Sequence, residues 1–260
     1  MNHELRTNFI DTHCHLDFPE FNEDRPEVIQ RAKEEGLSYI INIGSSIEGS
    51  RRSVELAKEY DFIYASVGIH PHEADKAGEK QIDILKELAH NLKVVAIGEI
   101  GLDYYRNYSK TENQKSLFLD LVKLAKDLGL PVIIHNRQAE NDVLKVLKEA
   151  MPIRAVIHCF SADEKFLQDI LDLGFFVSYT CNITYKKAQN LRDLVKKTPL
   201  DRIFLETDAP YLPPEGFRGK RNEPFWVKHL AGEIAKIKNT TAEEVAKITT
   251  QNAKAFFKLK

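Results

Sequence analysis

The chain is short of the residues that build several kinds of protein. It has 3 cysteines in 260 residues, Cys14, Cys159 and Cys181. They are scattered and odd in number, which argues against a disulfide framework and suits a reducing compartment. No apolar run approaches the roughly 20 residues of a membrane span. Residues 1–6 lack the apolar core of a secretory signal. A soluble cytoplasmic protein with no membrane contact is expected. Excess charge is missing too: 37 basic against 39 acidic residues leave a formal charge of -2. No global positive field gathers nucleic acid, so any such contact is local or metal-mediated. Low-complexity tracts and linkers are absent. So is a glycine-rich phosphate turn, which disfavours an open dinucleotide-type sheet.

What is present is alternation. Apolar, β-rich runs at 9–17, 39–44, 63–70, 94–102, 132–136, 155–160, 175–179 and 203–208 are each bounded by Gly, Pro, Ser or polar residues. Between them lie helical patterns, such as Leu117, Leu121, Leu124 and Leu128, or Val143, Val146 and Leu147. Gly36, Gly129 and Gly174 follow helical runs, where a left-handed residue ends a helix without strain. The strands read as nearly continuous apolar runs, as they do when both faces are covered. Eight strands, each followed by a helix, predict a TIM-type (β/α)8 barrel over 1–260 as one domain. The stretch 225–259 is longer than one helix needs. Asn239-Thr240-Thr241 reads as a break and a new N-cap, giving an extra C-terminal helix.

The chemistry sits at strand ends. Of 9 histidines, His13, His15, His70, His72, His135 and His158 lie at or just past them, where barrel enzymes place their reactive groups. In Asp11-Thr12-His13-Cys14-His15-Leu16-Asp17, alternation puts His13 and His15 on one face and Cys14 on the other. The fourth run ends in Glu99, the fifth in His135, the sixth reaches His158, and the eighth carries Glu206 and Asp208. Imidazole with carboxylate suits Zn²⁺, Mn²⁺ and related divalent ions, Mg²⁺ among them. Four His with Glu99 and Asp208 exceed the needs of one tetrahedral site. The surplus predicts two ions bridged by Glu99: one with His13, His15 and Asp208, the other with His135 and His158. A water between them would be acidified toward hydroxide, with Asp208 as its proton acceptor or orienter. Glu206, Asp17 and Asp103 are expected to hold the ligands from behind.

These residues resemble the TatD family of metal-dependent deoxyribonucleases, within the amidohydrolase-like barrels. The matching motifs are the Asp11 to Asp17 stretch, Gly68-Ile69-His70-Pro71-His72, Gly98-Glu99-Ile100-Gly101-Leu102-Asp103-Tyr104 and His158-Cys159-Phe160-Ser161. Glu206-Thr207-Asp208-Ala209-Pro210-Tyr211-Leu212 and Arg221-Asn222-Glu223-Pro224 complete the series. One departure is Ala162, where the family often has glycine. The resemblance implies a divalent metal centre and hydrolysis of DNA phosphodiesters.

For the substrate, His70, His72, Arg137, Arg221 and Asn222 are the expected contacts, with Arg218 and Lys220 in the same loop as Arg221. Tyr104, Tyr105, Tyr185 and Phe217 are candidates to stack exposed bases. The near-neutral charge favours short engagement at a single-stranded or frayed DNA end, hence an exodeoxyribonuclease with no obligate protein partner. Another ester or amide hydrolase of the same barrel, such as an aminoacyl-tRNA deacylase, is the alternative. Against the amidase form, the fourth run ends in Glu99 rather than a carboxylated lysine, and Lys93 lies at its wrong end. A binding protein with a vestigial metal site would require a missing ligand, and none is missing.

Overall fold

The computed structural model describes residues 8–260; the stretch 1–6 and His3 lie outside them. The strands are β1 (Phe9–Cys14), β2 (Leu37–Ile43), β3 (Ile63–Val67), β4 (Val94–Asp103), β5 (Val132–Arg137), β6 (Ala155–Ile157), β7 (Phe176–Tyr179) and β8 (Ile203–Leu205). The helices are α1 (Arg25–Glu34), α2 (Ile47–Glu59), α3 (Glu79–Ala89), α4 (Thr111–Leu128), α5 (Glu140–Ala150), α6 (Glu164–Asp172), α7 (Gln189–Lys197), α8 (Val227–Lys238) and α9 (Ala242–Phe257). The strands pair in sequence order, β1 to β8, all parallel. A short seam returns β8 to β1: Cys14 bridges Ala209, and the Asp208 N–H donates to the His13 carbonyl at 2.8 Å. The expected (β/α)8 barrel is therefore the fold.

Local chemistry sets the element ends. The Ser46 hydroxyl caps α2 by accepting the Gly49 N–H, and the Asp163 carboxylate caps α6 through Phe166. Gly129 ends α4 in the left-handed region at φ 67. The break read at 239–241 is real: Asn239 ends α8 at φ 53 and Thr241 caps α9. Gly101 is required by close approach. It pairs with His135 across β4 and β5 at φ 143, and a β-carbon there would lie 2.0 Å from the His135 carbonyl oxygen.

Five strands stop before the apolar runs do. β1 ends at Cys14, β2 at Ile43, β3 at Val67, β6 at Ile157 and β8 at Leu205. Cys159 (φ 46) and Asp208 (φ 55) are left-handed, so the chain leaves the ladder just where its polar side chains turn over the barrel mouth.

The apolar interior has two parts. A larger cluster packs the outer strand faces against the helices. A smaller one, with Ile10, Ile41, Val95, Ile133, Val156 and Phe204 from the barrel and Phe256 and Phe257 from α9, fills the N-terminal end of the ring. The extra helix is thus a plug. No helix among the described residues is long and apolar enough to cross a membrane.

Candidate metal centre

The structure brings the six candidate ligands to one rim. Glu99, 4% exposed, lies between two donor sets. Its Oε2 faces His13 Nε2 at 3.6 Å and His15 Nε2 at 3.9 Å. Asp208 Oδ1 completes that set, 3.7 Å from His13 Nε2 and 3.5 Å from His15 Nε2, while the two nitrogens are 3.2 Å apart. Four donors at ~2.0–2.1 Å from a tetrahedral ion lie about 3.3–3.4 Å from one another. The observed edges surround that value. The Glu99 Oε1 atom faces the other way, to His135 Nδ1 at 2.8 Å and His158 Nε2 at 2.7 Å.

The far nitrogen of each imidazole turns to a backing group. His15 Nδ1 meets the Ile43 carbonyl at 3.0 Å, and His135 Nε2 meets Asp103 Oδ2 at 3.3 Å. His13 Nδ1 and His158 Nδ1 face Glu206 at 4.0 and 3.6 Å, too far for direct hydrogen bonds, and neither has another partner among the described residues. Glu206 is itself held by the Ser178 hydroxyl and the Cys159 N–H, both at 2.6 Å. Asp103 accepts from the Tyr105 and Arg106 N–H groups and contacts His72 Nε2 at 2.8 Å. An imidazole fixed through one nitrogen presents the other as a donor, the usual arrangement behind a metal ligand. The donor set therefore fits divalent ions.

Electrostatics point the same way. Burial opposes charge throughout the cluster, yet the neighbouring imidazoles, His158 foremost, hold Glu99 well below the usual carboxylate range. His15 and His13 lower Asp208, and Glu99 with Glu206 holds His158 well above the usual imidazole value. Burial would lower His15, but Asp208 and Glu99 outweigh it and push its pKa up to about 9. Protonated imidazoles thus balance carboxylates that cannot be buried cheaply alone. A divalent cation supplies that positive charge and releases the protons.

Several residues behave differently from the sequence-based expectation. Arg221 is spent on structure: its guanidinium grips both Asp24 oxygens at 2.6 Å and Glu223 at 3.1 Å. Asn222 is fully buried and donates to the Thr207 and Tyr211 carbonyls, so its amide is used in shaping the loop after β8. His70 Nε2 stands 3.5 Å from Glu99 Oε1, inside the second donor set rather than outside it. Asp17 touches no candidate ligand by hydrogen bond and instead accepts from Asn42 at 2.9 Å. Tyr104 is occupied by Asp142. Arg137 remains available, exposed and stacked 4.2 Å from the Tyr105 ring centre. Lys93 points away, donating to the Asp61 carbonyl.

Asp11 carries a role that spacing did not reveal. Fully buried, it takes the Thr207 hydroxyl at 2.5 Å and the Thr207 and His13 N–H groups, stitching β1 to the segment after β8. Burial pushes its pKa up to about 8. Its signal was a carboxylate inside an apolar strand, with a partner nearly the whole chain away.

Comparison with known proteins shows the family. The family model described as TatD related DNase matches residues 10–258. The Bacillus subtilis metal-dependent hydrolase YabD is 43% identical over 96% of this chain and 99% of its own. The Erwinia tasmaniensis protein named 3'-5' ssDNA/RNA exonuclease TatD is 36% identical, over 96% of this chain and all of its own (100%). The crystal structure of the Escherichia coli TatD homologue YjjV superposes with a TM-score of 0.92 at 34% identity, covering 97% of this chain and 98% of that one. Motif order, barrel and donor set lead to one assignment: the chain belongs to the TatD family of metal-dependent hydrolases.

Proposed function

We propose that the chain is a two-metal phosphodiesterase that trims single-stranded or frayed ends of DNA. The observation that carries it is the split of Glu99, whose two oxygens face separate sets of imidazole donors. His13, His15, Glu99 and Asp208 would hold one ion; Glu99, His135 and His158, with His70 beside them, would hold the other. When bound, such ions make water nucleophilic at neutral pH and stabilise charge on phosphoryl oxygens. The chain's own groups do the rest. Asp208, with 15% of its side chain exposed, accepts the proton of the attacking water. The water oxygen bonds phosphorus, the bond to the departing nucleotide breaks, and the leaving oxygen takes a proton from solvent.

Arg137 is the proposed phosphate contact, since it stands on the strand that carries His135 and has no carboxylate partner among the described residues. Around the same rim, Arg218 lies over Tyr185 and Lys220 over Phe217, cation–aromatic pairs suited to splayed bases. The exonuclease name of the Erwinia relative supports the substrate class. A 5'- or 3'-end-labelled oligonucleotide, incubated with holoenzyme beside closed circular DNA, a cyclic amide and an aminoacyl ester, tests it. Progressive shortening from one end, with the circle intact, is expected. Comparable cutting of the circle, or turnover of the ester alone, contradicts the proposal.

A further inference from the structure

Beside the donor cluster lies a cavity of about 310 Å³, lined by Asp17, Phe18, Ser45, Ser46, Arg52 and Tyr211 among others. That size is at the small end of ligand pockets, which run ~300–1,000 Å³. The Phe18 ring stacks on His15 with centroids 4.5 Å apart and planes 23° apart, so the cavity touches the metal centre directly. Tyr211 stands edge-on to Phe18 at 6.2 Å and keeps 49% of its surface exposed. Its backbone N–H donates to the Asp208 carbonyl at 2.8 Å, tying its position to a candidate ligand.

The polar lining is mixed. Asp17 is 2% exposed; Asn42 takes its Oδ1, and its Oδ2 faces Gly49 at the cavity wall, 3.1 Å from where a β-carbon of that residue would stand. It offers an acceptor. The Ser45 and Ser46 hydroxyls and the exposed Arg52 guanidinium offer donors. Two aromatic faces with donors and an acceptor around them match a planar heteroaromatic group with polar edges. An aliphatic group would leave the buried Asp17 edge unpaired. A bare phosphate would have no use for the rings.

We propose that this cavity holds the base of the terminal nucleotide, stacked on Tyr211 with its edge toward Phe18, while the adjoining phosphodiester lies at the metal centre. The inference rests on the phosphodiesterase reading and adds a contact that selects nucleotides over other phosphodiesters. Tyr211 is here a positioning residue, acting on kcat/KM through where the substrate lies.

The test compares two oligonucleotides that differ only in whether the sugar at the attacked end carries a base. Holoenzyme is expected to cleave the base-bearing end with about tenfold higher kcat/KM, the size of one base–aromatic stack. In Tyr211→Ala that ratio collapses toward one; in Tyr211→Phe, which keeps the ring, it is retained. A ratio near one in the unaltered enzyme, or a full ratio in Tyr211→Ala, overturns the base site while leaving the phosphodiesterase reading in place. Cleavage of neither oligonucleotide removes both.

Discussion

At the N-terminal end of the barrel, Phe204 stacks on Phe176 with centroids 4.6 Å apart, and Phe256 and Phe257 of α9 close over them. At the C-terminal end, the same eight strands deliver buried imidazoles and carboxylates that have few protein partners except one another. The first end is held by apolar burial, which needs no particular atom to be charged. The second is held by groups whose burial is unfavourable unless cations offset it. Stability is therefore concentrated at the plug and chemistry at the mouth, the division expected of barrel enzymes.

Four substitutions put that contrast to the test. Glu99→Ala strikes the mouth hardest. Turnover should fall well beyond the ~10–100-fold that loss of a supporting residue costs, with the far-UV spectrum of the barrel retained. Turnover within tenfold of the unaltered enzyme would remove Glu99 from the centre. Phe256→Ala strikes the plug. Denaturant unfolding should show a loss of about 3–5 kcal/mol, with metal content and kcat unchanged at 25 °C. A parallel loss of metal would mean that the two ends are coupled.

Asp103→Asn tests a backing group of the mouth. Metal affinity should drop by about 10–100-fold, read by competition with a chelator, with a smaller loss of fold stability than Phe256→Ala. Arg221→Ala should matter least. Its hydrogen bonds and charge hold the Asp24 carboxyl below the usual carboxylate range at a part-exposed site. The stabilisation is present above the unfolded carboxyl pKa of about 3.9 and is lost as pH falls through the lower folded value. The variant should lose no more than about 1 kcal/mol at pH 7, shrinking toward nothing in acid. Its kcat/KM on an oligonucleotide should stay near that of the unaltered enzyme; a large rise in KM would restore Arg221 as a phosphate contact.

The barrel was legible because its strands are apolar runs and its helices keep their period. The donor cluster was legible because polar residues within or just past apolar strands have few other uses, although Glu99 lies inside β4 rather than at its end. His15 and Glu99 needed only position and residue type. The ion pairs of Arg221 were not legible because its partner, Asp24, is remote in sequence, and a guanidinium in a loop looks the same whether it is paired or free. The burial of Asn222 was hidden as well: its acceptors are backbone carbonyls, which leave no mark in a sequence. The strand ends at Cys159 and Asp208 were overrun because neither residue type announces a left-handed turn. The plug formed by α9 was legible as a helix but not as the floor of the barrel, since what a helix covers is decided by tertiary packing.

The most direct measurement is the number of divalent ions bound per chain, by elemental analysis of protein equilibrated with Mn²⁺ or Zn²⁺ and then freed of excess. Two ions per chain in the unaltered protein are expected, with weakened binding of both in Glu99→Ala, because one carboxylate serves both sets. A single ion per chain, or two that survive Glu99→Ala undiminished, would contradict the bridged centre.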